Sequence, residues 1–250
     1  MNIYSTLNIG EFHTNHCEDF LVNEQISSNE ILIAVLDGCT MGTESVFASI
    51  LYGKILRNIA KNHFYQEFTS NRSLDSKSLL KSCIKQLIAE TKGIKNQLGL
   101  DVNELLSTLI IGIVNTKSYS AELLTIGDGA IYVDGELTEY EQDNTPDYLG
   151  YHLNEPFDTW YDSLEQRKTI TKFTDLSIAT DGIFTFKNLE DKTKQKSESE
   201  IVEYLLKDRT FSENANFLER KVRELSKEMK HVVTDDLAII RIITNLQQTL

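Results

Sequence analysis

Aspartate recurs where apolar runs end. Asp37-Gly38 follows ILIAVL, Asp128-Gly129 follows LLTIG and Asp181-Gly182 follows LSIAT, while the acidic pair Asp235-Asp236 stands directly before LAIIRII. In each Asp-Gly the glycine frees the backbone to turn. If the apolar runs are strands, their ends can bring these carboxylates to one rim of a sheet. Carboxylates gathered without basic partners repel one another, and a divalent cation is the simplest way to neutralise them. No His or Cys stands at ligand spacing beside them, so the all-oxygen donor set suits Mg²⁺ or Mn²⁺ better than zinc or copper. A purely structural explanation competes, because Asp-Gly is a favoured turn dipeptide; Asp134-Gly135, between AIYV and ELTEY, reads as a tight hairpin turn.

The positioning elements are visible as periodicity. Residues 31–36, 108–114, 121–127, 130–133, 176–180 and 237–243 are short runs rich in Ile, Val, Thr and Tyr, which favours strands, and several are apolar nearly throughout, so both faces must be covered. Four helical patterns lie between them. The first starts at Thr43 or Glu44 and carries Val46, Phe47, Ile50, Leu51, Ile55 and Ile59. The second opens at Asp75 or Ser76, carries Leu79, Leu80, Cys83, Ile84, Leu87 and Ile88, and fades near Gly99. A later pair carries Ile201, Val202, Leu205 and Leu206, then Phe217, Leu218, Val222, Leu225 and Met229, with the last helix starting near Ser212. This alternation predicts layers of helix over sheet.

Two stretches differ. Residues 139–170 hold both prolines, Pro146 and Pro156, with Tyr148, Tyr151, Phe157, Trp160 and Tyr161 and no sustained period, which marks a lid or flap. Residues 187–200, KNLEDKTKQKSESE, read as a solvated surface loop.

Composition limits the possible roles. The 250 residues, 40% of them hydrophobic, suffice for one large domain spanning 1–250. A net charge of −13 repels phosphate backbones and argues against a nucleic-acid partner. No stretch is long and apolar enough for a membrane span, and no targeting signal is recognisable. Cys17, Cys39 and Cys83 are odd in number and form no C-x-x-C pair, which argues against a disulfide framework or a cysteine zinc site and for the reducing cytoplasm.

In order, HCEDF (16–20), AVLDG (34–38), STLIIG (107–112), TIGDGAIYV (125–133), IATDGIF (178–184) and TDDLAIIRI (234–242) resemble the ordered motifs of the metal-dependent type 2C serine/threonine protein phosphatases. The resemblance spans nearly the whole chain. It implies an α+β fold, a four-layer αββα sandwich of two mainly antiparallel sheets flanked by helix pairs, with metals at one end. It implies hydrolysis of phosphoserine or phosphothreonine in a protein substrate by a metal-activated water, at a centre of two Mn²⁺ or Mg²⁺ ions and a third, weaker one. It also implies a signalling role opposite a cognate kinase. Carried over by position, Asp37 bridges two metals, the Gly38 carbonyl completes one site, and Asp181 and Asp235 hold the other. Glu18 and Asp19 act through metal-bound waters, and Asp128 with Asp181 holds the third ion. Asp37, Asp181 and Asp235 are the catalytic aspartates of this reading.

The chain departs from the family pattern at the substrate end. An arginine expected five residues before Asp19 is Thr14, with His13 and His16 nearby. The position of a candidate general-acid histidine holds Cys39, read as a small residue packed in a turn, and Met41 likewise reads as packing. Ser107 and Thr108 read as structural hydroxyls. These departures support an alternative role, a weakly catalytic pseudophosphatase that binds and regulates a phosphoprotein. A haloacid-dehalogenase-type reading of AVLDGCT fails, because the nucleophile position would be Val35, which cannot form a phosphoenzyme.

Overall fold

Helices, sheet, sheet and helices stack in four layers in the computed structural model of this chain, which describes residues 1–70, 74–142 and 146–244. The first sheet runs in the order β1 (Asn2–Asn8), β12 (Leu237–Ile243), β9 (Asp175–Ala179), β6 (Gly129–Val133), β7 (Glu136–Tyr140). The second runs β2 (Phe20–Ser27), β3 (Glu30–Leu36), β4 (Leu109–Asn115), β5 (Ser120–Ile126), β8 (Arg167–Ile170). Both sheets are antiparallel in every pairing. A short pair, β10 (Phe186–Asn188) and β11 (His231–Val233), lies apart. Helices α1 (Ser45–Ser70) and α2 (Ser76–Leu98) cover the second sheet, and α4 (Glu198–Leu206) and α5 (Phe217–Lys227) cover the first; α3 (Phe157–Ser163) is short.

The layering explains why the strands are apolar on both faces. In β3, Ile33 and Val35 enter the core between the sheets while Leu32, Ala34 and Leu36 meet the helices. In β12, Ala238, Ile240 and Ile242 face the other sheet, and Leu237, Ile239 and Ile243 pack toward α4 and α5. Arg241, fully buried, holds the Asp175 carboxylate at 2.9 and 2.8 Å and donates to the carbonyls of Leu205, Lys207 and Asp208. This satisfies a buried charge and ties the turn after α4 to the first sheet.

All six predicted strands and the second helix form where periodicity places them. Asp75 caps α2 by accepting from the Ser78 N–H at 3.0 Å, and Gly99 closes it at φ 69°. Asp134 (φ 48°) and Gly135 (φ 106°) make the expected hairpin turn between β6 and β7, and Asp134 Oδ1 also accepts from the Thr174 and Asp175 N–H groups.

Two local expectations need correction. The last helix begins at Phe217 instead of near Ser212, because residues 212–216 form turns and Phe211 takes a positive φ of 75°. Residues 187–200 are more ordered than a surface loop: β10 reaches Asn188, and a capping box between Ser197 and Glu200 starts α4. Among its described residues, the 139–170 stretch carries α3 and β8, with Leu149, Leu153, Trp160 and Tyr161 buried against α1 and α2; its residues 143–145 lie outside the described residues. Among the described residues, no helix is long and apolar enough to cross a membrane.

Candidate functional site

Antiparallel pairing brings the aspartates to one end. β3 ends at Leu36 and delivers Asp37; β2, paired with it, starts at Phe20, which puts Glu18 and Asp19 alongside. β9 ends at Ala179 and delivers Asp181, and β12, paired with it, starts just after Asp235 and Asp236. Asp128 sits in the turn between β5 and β6, flanked by Gly127 (φ 92°) and Gly129 (φ 127°), where the chain crosses from one sheet to the other. The seven positions singled out in the sequence, Glu18, Asp19, Asp37, Gly38, Asp128, Asp181 and Asp235, thus share one rim.

The electrostatics of the rim are those of an under-neutralised cluster. Burial pushes Asp37 well above the ordinary carboxylate range, and the charges of Asp19, Asp181 and Asp235 push it further. Asp19 is raised by burial and by Asp181 and Asp236, opposed by the hydrogen bond it accepts from Thr180 Oγ1 at 2.7 Å. Asp181 is raised to about 7 by burial and by the charges of Asp128 and Asp235. Burial also raises Asp128. Two carboxylate oxygens of the cluster, Asp19 Oδ1 and Asp128 Oδ1, are cut off from solvent with no hydrogen-bond partner.

Backbone contacts hold the rim rigidly. The Gly38 N–H donates to the Glu18 carbonyl at 3.1 Å, the Cys39 N–H to Leu106 at 3.1 Å, and the Thr108 N–H to Asp37 at 2.9 Å. Glu18 Oε2 accepts from Thr40 Oγ1 at 2.9 Å. A Cβ on Gly38 would collide with the Ser45 carbonyl, and one on Gly182 with that of Asp236, so both glycines allow backbone approaches that no other residue permits.

The sequence reading missed the part played by Asp236. Its carboxylate accepts from the Gly10 N–H at 2.7 Å and from the Glu18 N–H, stapling the loop before β2 to the entry of β12. Asp235 is the outward member of the pair, its side chain 48% exposed. His13 stands between them, Nδ1 2.9 Å from Asp236 and Nε2 3.4 Å from Asp235, and it is the basic side chain that the described structure brings to this rim. Thr14 is exposed. The signal for Asp236 was its place beside Asp235, which periodicity cannot divide into one outward side chain and one staple.

Neighbouring positions follow their bland readings with one exception. Ser107 bridges Gly38 and is buried, its hydroxyl spent on the Thr108 carbonyl. The Cys39 thiol meets Tyr148. Met41, expected to pack, is 92% exposed.

The donors present fit a hard divalent cation: carboxylates whose mutual repulsion raises their proton affinity, two of them with orphaned buried oxygens, and no soft ligand among them. No three His, Cys, Asp or Glu side chains among the described residues are already disposed around one point as ligands. The side chains therefore hold positions about the rim without forming a closed cage.

The family profile described as Protein phosphatase 2C matches residues 12–230, and the chain belongs to that family. Its fold is shared with a bacterial serine phosphatase in a point-mutant form, at TM-score 0.60 and 15% identity over 97% of this chain and 98% of that one. The phosphatase domain structure of SpoIIE from Bacillus subtilis aligns at TM-score 0.57 and 17% identity, over 97% of this chain and 63% of that one. Stp1, a serine/threonine phosphatase from Staphylococcus aureus, aligns at TM-score 0.56 and 13% identity, over 97% and 94%. At these identities the likeness is one of fold. No curated protein matches the sequence.

Proposed function

We propose that this chain is a metal-dependent phosphoprotein phosphatase acting on phosphoserine or phosphothreonine. Family membership supports the class, and the supporting observation within the chain is the convergence of Asp19, Asp37, Asp128, Asp181 and Asp235 on one rim with mutually raised proton affinities. In this reading Asp37, Asp181 and Asp235 are the catalytic aspartates and hold two Mn²⁺ or Mg²⁺ ions with the Gly38 carbonyl. Glu18 and Asp19 contribute through water, and Asp128 with Asp181 offers a third site. When bound, the ions neutralise phosphoryl charge and activate a water for attack.

The chain's own residues supply position. Thr180 fixes Asp19, Thr40 fixes Glu18, and Asp236 fixes the loop that carries both. Fixed carboxylates lower the reorganisation needed when charge shifts toward the leaving oxygen. His13 and His16 lie near Thr14, which stands where the family arginine is expected, and both ring nitrogens of His13 are turned toward Asp235 and Asp236.

Turnover of p-nitrophenyl phosphate and of a phosphothreonine peptide, with Mn²⁺ and with EDTA, tests this reading. Metal-dependent release of phosphate, abolished by Asp37→Asn, is the expected result. Metal binding without turnover on either substrate would replace it with the second reading, a phosphoprotein-binding pseudophosphatase, which the missing arginine favours.

A further inference from the structure

Charge is unevenly distributed over the layers of this fold. Helices α1 and α2 together carry eight Lys and Arg against two Glu, a charge of +6, so the other residues of this chain of net −13 hold 17 bases against 36 acids, or −19. Three of the five bases of α2 are engaged within the chain: Lys81 pairs with Asp158 at 2.9 Å and Asp162 at 3.4 Å, Lys85 lies over the Phe157 ring, and Lys95 donates to the Leu100 carbonyl at 2.7 Å. On α1, Lys54, Arg57, Lys61 and Tyr65 recur at helical spacing along one exposed face, and no acid stands three or four residues from Lys54 or Lys61 to pair with them along the helix.

This face borders an open sheet edge. A cleft of about 300 Å³ is lined by Arg57, Lys61, Phe64 and Tyr65 of α1 and by Glu24 and Gln25 of β2. β2 pairs with β3 and is the outermost strand of the second sheet. The Glu18 carbonyl accepts from the Gly38 N–H, in register with the pair Phe20 and Leu36, so by antiparallel alternation the backbone groups of Phe20, Val22 and Glu24 face β3, while those of Leu21, Asn23 and Gln25 face outward. Arg57 agrees with this assignment, because its guanidinium donates to the Leu21 carbonyl at 3.2 Å. Asn23 and Gln25 are exposed, and among the described residues no strand pairs with their outward side.

Edge and charge together select an occupant. Val22 and Ile26 of β2 pack toward α1, and Glu24, on the same side, stands 3.6 Å from Arg57, so alternate residues of a strand added to β2 would meet the basic flank of α1 and the Tyr65 ring, which is 58% exposed. Acidic side chains at those alternate positions complement Arg57 and Lys61. A second copy docked through the same edge would set two basic stripes against each other. A nucleic acid or an anionic membrane extends far beyond the screening length of about 8 Å and would also meet the acidic remainder of the chain. We propose that the cleft between α1 and β2 docks an extended segment of a protein partner with acidic residues at alternate positions, added as a strand to the β2 edge. This does not depend on the phosphatase reading.

The probe is a fluorescein-labelled decapeptide in which Glu alternates with Val, compared with an isomer that groups its Glu in one block and with a counterpart in which Lys alternates with Val. Anisotropy at low salt should show the alternating Glu peptide binding about tenfold or more tighter than either, with affinity falling as salt rises. Lys61→Glu should weaken that binding about tenfold, whereas Lys227→Glu, an exposed substitution on α5 that changes the net charge equally, should alter it by less than about twofold. Asn23→Pro deletes one outward N–H where an edge strand tolerates proline, and should weaken binding in a protein whose thermal unfolding shows that it is folded. Amide hydrogen exchange at residues 21–25 of the unsubstituted protein should slow when the peptide is bound, which reports strand addition even if Asn23→Pro does not fold. Equal binding of the three peptides, an equal loss in Lys227→Glu, or unchanged exchange at 21–25 would overturn the proposal. So would tighter binding of single-stranded DNA or of phosphatidylserine vesicles than of the alternating peptide, or a dimer in sedimentation that Asn23→Pro dissociates, which would give the edge to a second copy.

Discussion

Thr180 Oγ1 donates a 2.7 Å hydrogen bond to Asp19 Oδ2, and the same hydroxyl accepts from the Ala238 N–H at 2.9 Å. One buried side chain therefore ties the start of β2, in the second sheet, to the end of β9 and the start of β12, in the first. Thr180→Val preserves the volume and removes both bonds, which leaves a buried carboxylate and a buried N–H unpaired. The expected cost is about 2 kcal/mol, which lowers the midpoint of thermal unfolding by about 4 to 8 °C. Thr180→Ser should recover most of it. A Val variant that melts with the unsubstituted protein would show that this hydroxyl does not join the sheets energetically.

Asp37 is expected to be held at a stability cost. It stands among the charges of Asp19, Asp181 and Asp235, each of which disfavours its ionised form. Asp37→Asn removes one of the repelling charges, so the metal-free variant should unfold at a higher temperature than the unsubstituted protein at pH 7.5. A ligand that binds only the folded state stabilises it in proportion to its binding, so Mn²⁺ should raise the unfolding temperature of the unsubstituted protein and not that of the variant. Calorimetry with and without Mn²⁺ reads both effects. An Asn variant that is less stable without metal, or equally stabilised by it, contradicts the cluster's electrostatic character.

Asp236 and Asp235 should separate in their phenotypes. Asp236 accepts from two backbone N–H groups, those of Gly10 and Glu18, whereas Asp235 faces solvent beside His13. Asp236→Ala is expected to cost about 2 kcal/mol or more, because two buried donors lose their acceptor. Asp235→Ala should change the unfolding free energy by no more than about 0.5 kcal/mol, as for an exposed substitution, while weakening metal-dependent turnover. Urea unfolding paired with phosphatase assays distinguishes them. Equal stability losses in the two variants would refute the division into staple and ligand.

The sequence displays what is periodic and local. Strands such as ILIAVL are apolar throughout because Ile33 and Leu32 meet different layers, so a run without alternation already reports two covered faces. Asp37, Asp128 and Asp181 were readable because each follows such a run and precedes glycine. β1 was not, because Asn2, Ser5 and Asn8 break the apolar run; Tyr4 and Thr6 are buried in this edge strand, and Ile3 is half-buried against the core between the sheets. Asp236 was not distinguishable from Asp235, because which of two adjacent carboxylates turns inward depends on the loop around Gly10, far away in sequence.

His152 gives the 147–155 segment a dependence on pH. Its Nδ1 lies 2.7 Å from Glu155 Oε1 and its Nε2 2.7 Å from Asp147 Oδ1, and its ring stacks on Trp160. Burial lowers its pKa, but the hydrogen bonds and charges of Asp147 and Glu155 outweigh this and raise it above 6.5. A group with a raised folded pKa stabilises the folded state fully below its unfolded pKa, and that contribution is lost as pH rises through the folded pKa. The segment should therefore be held most tightly below pH about 6.5 and loosen in the alkaline direction. Trp160 emission, followed from pH 5.5 to 9, should show a transition centred above 6.5 as its stacking partner loses a proton and one of its two acid contacts. In His152→Gln, which is neutral at every pH, that transition should vanish; its persistence would assign the change to another group.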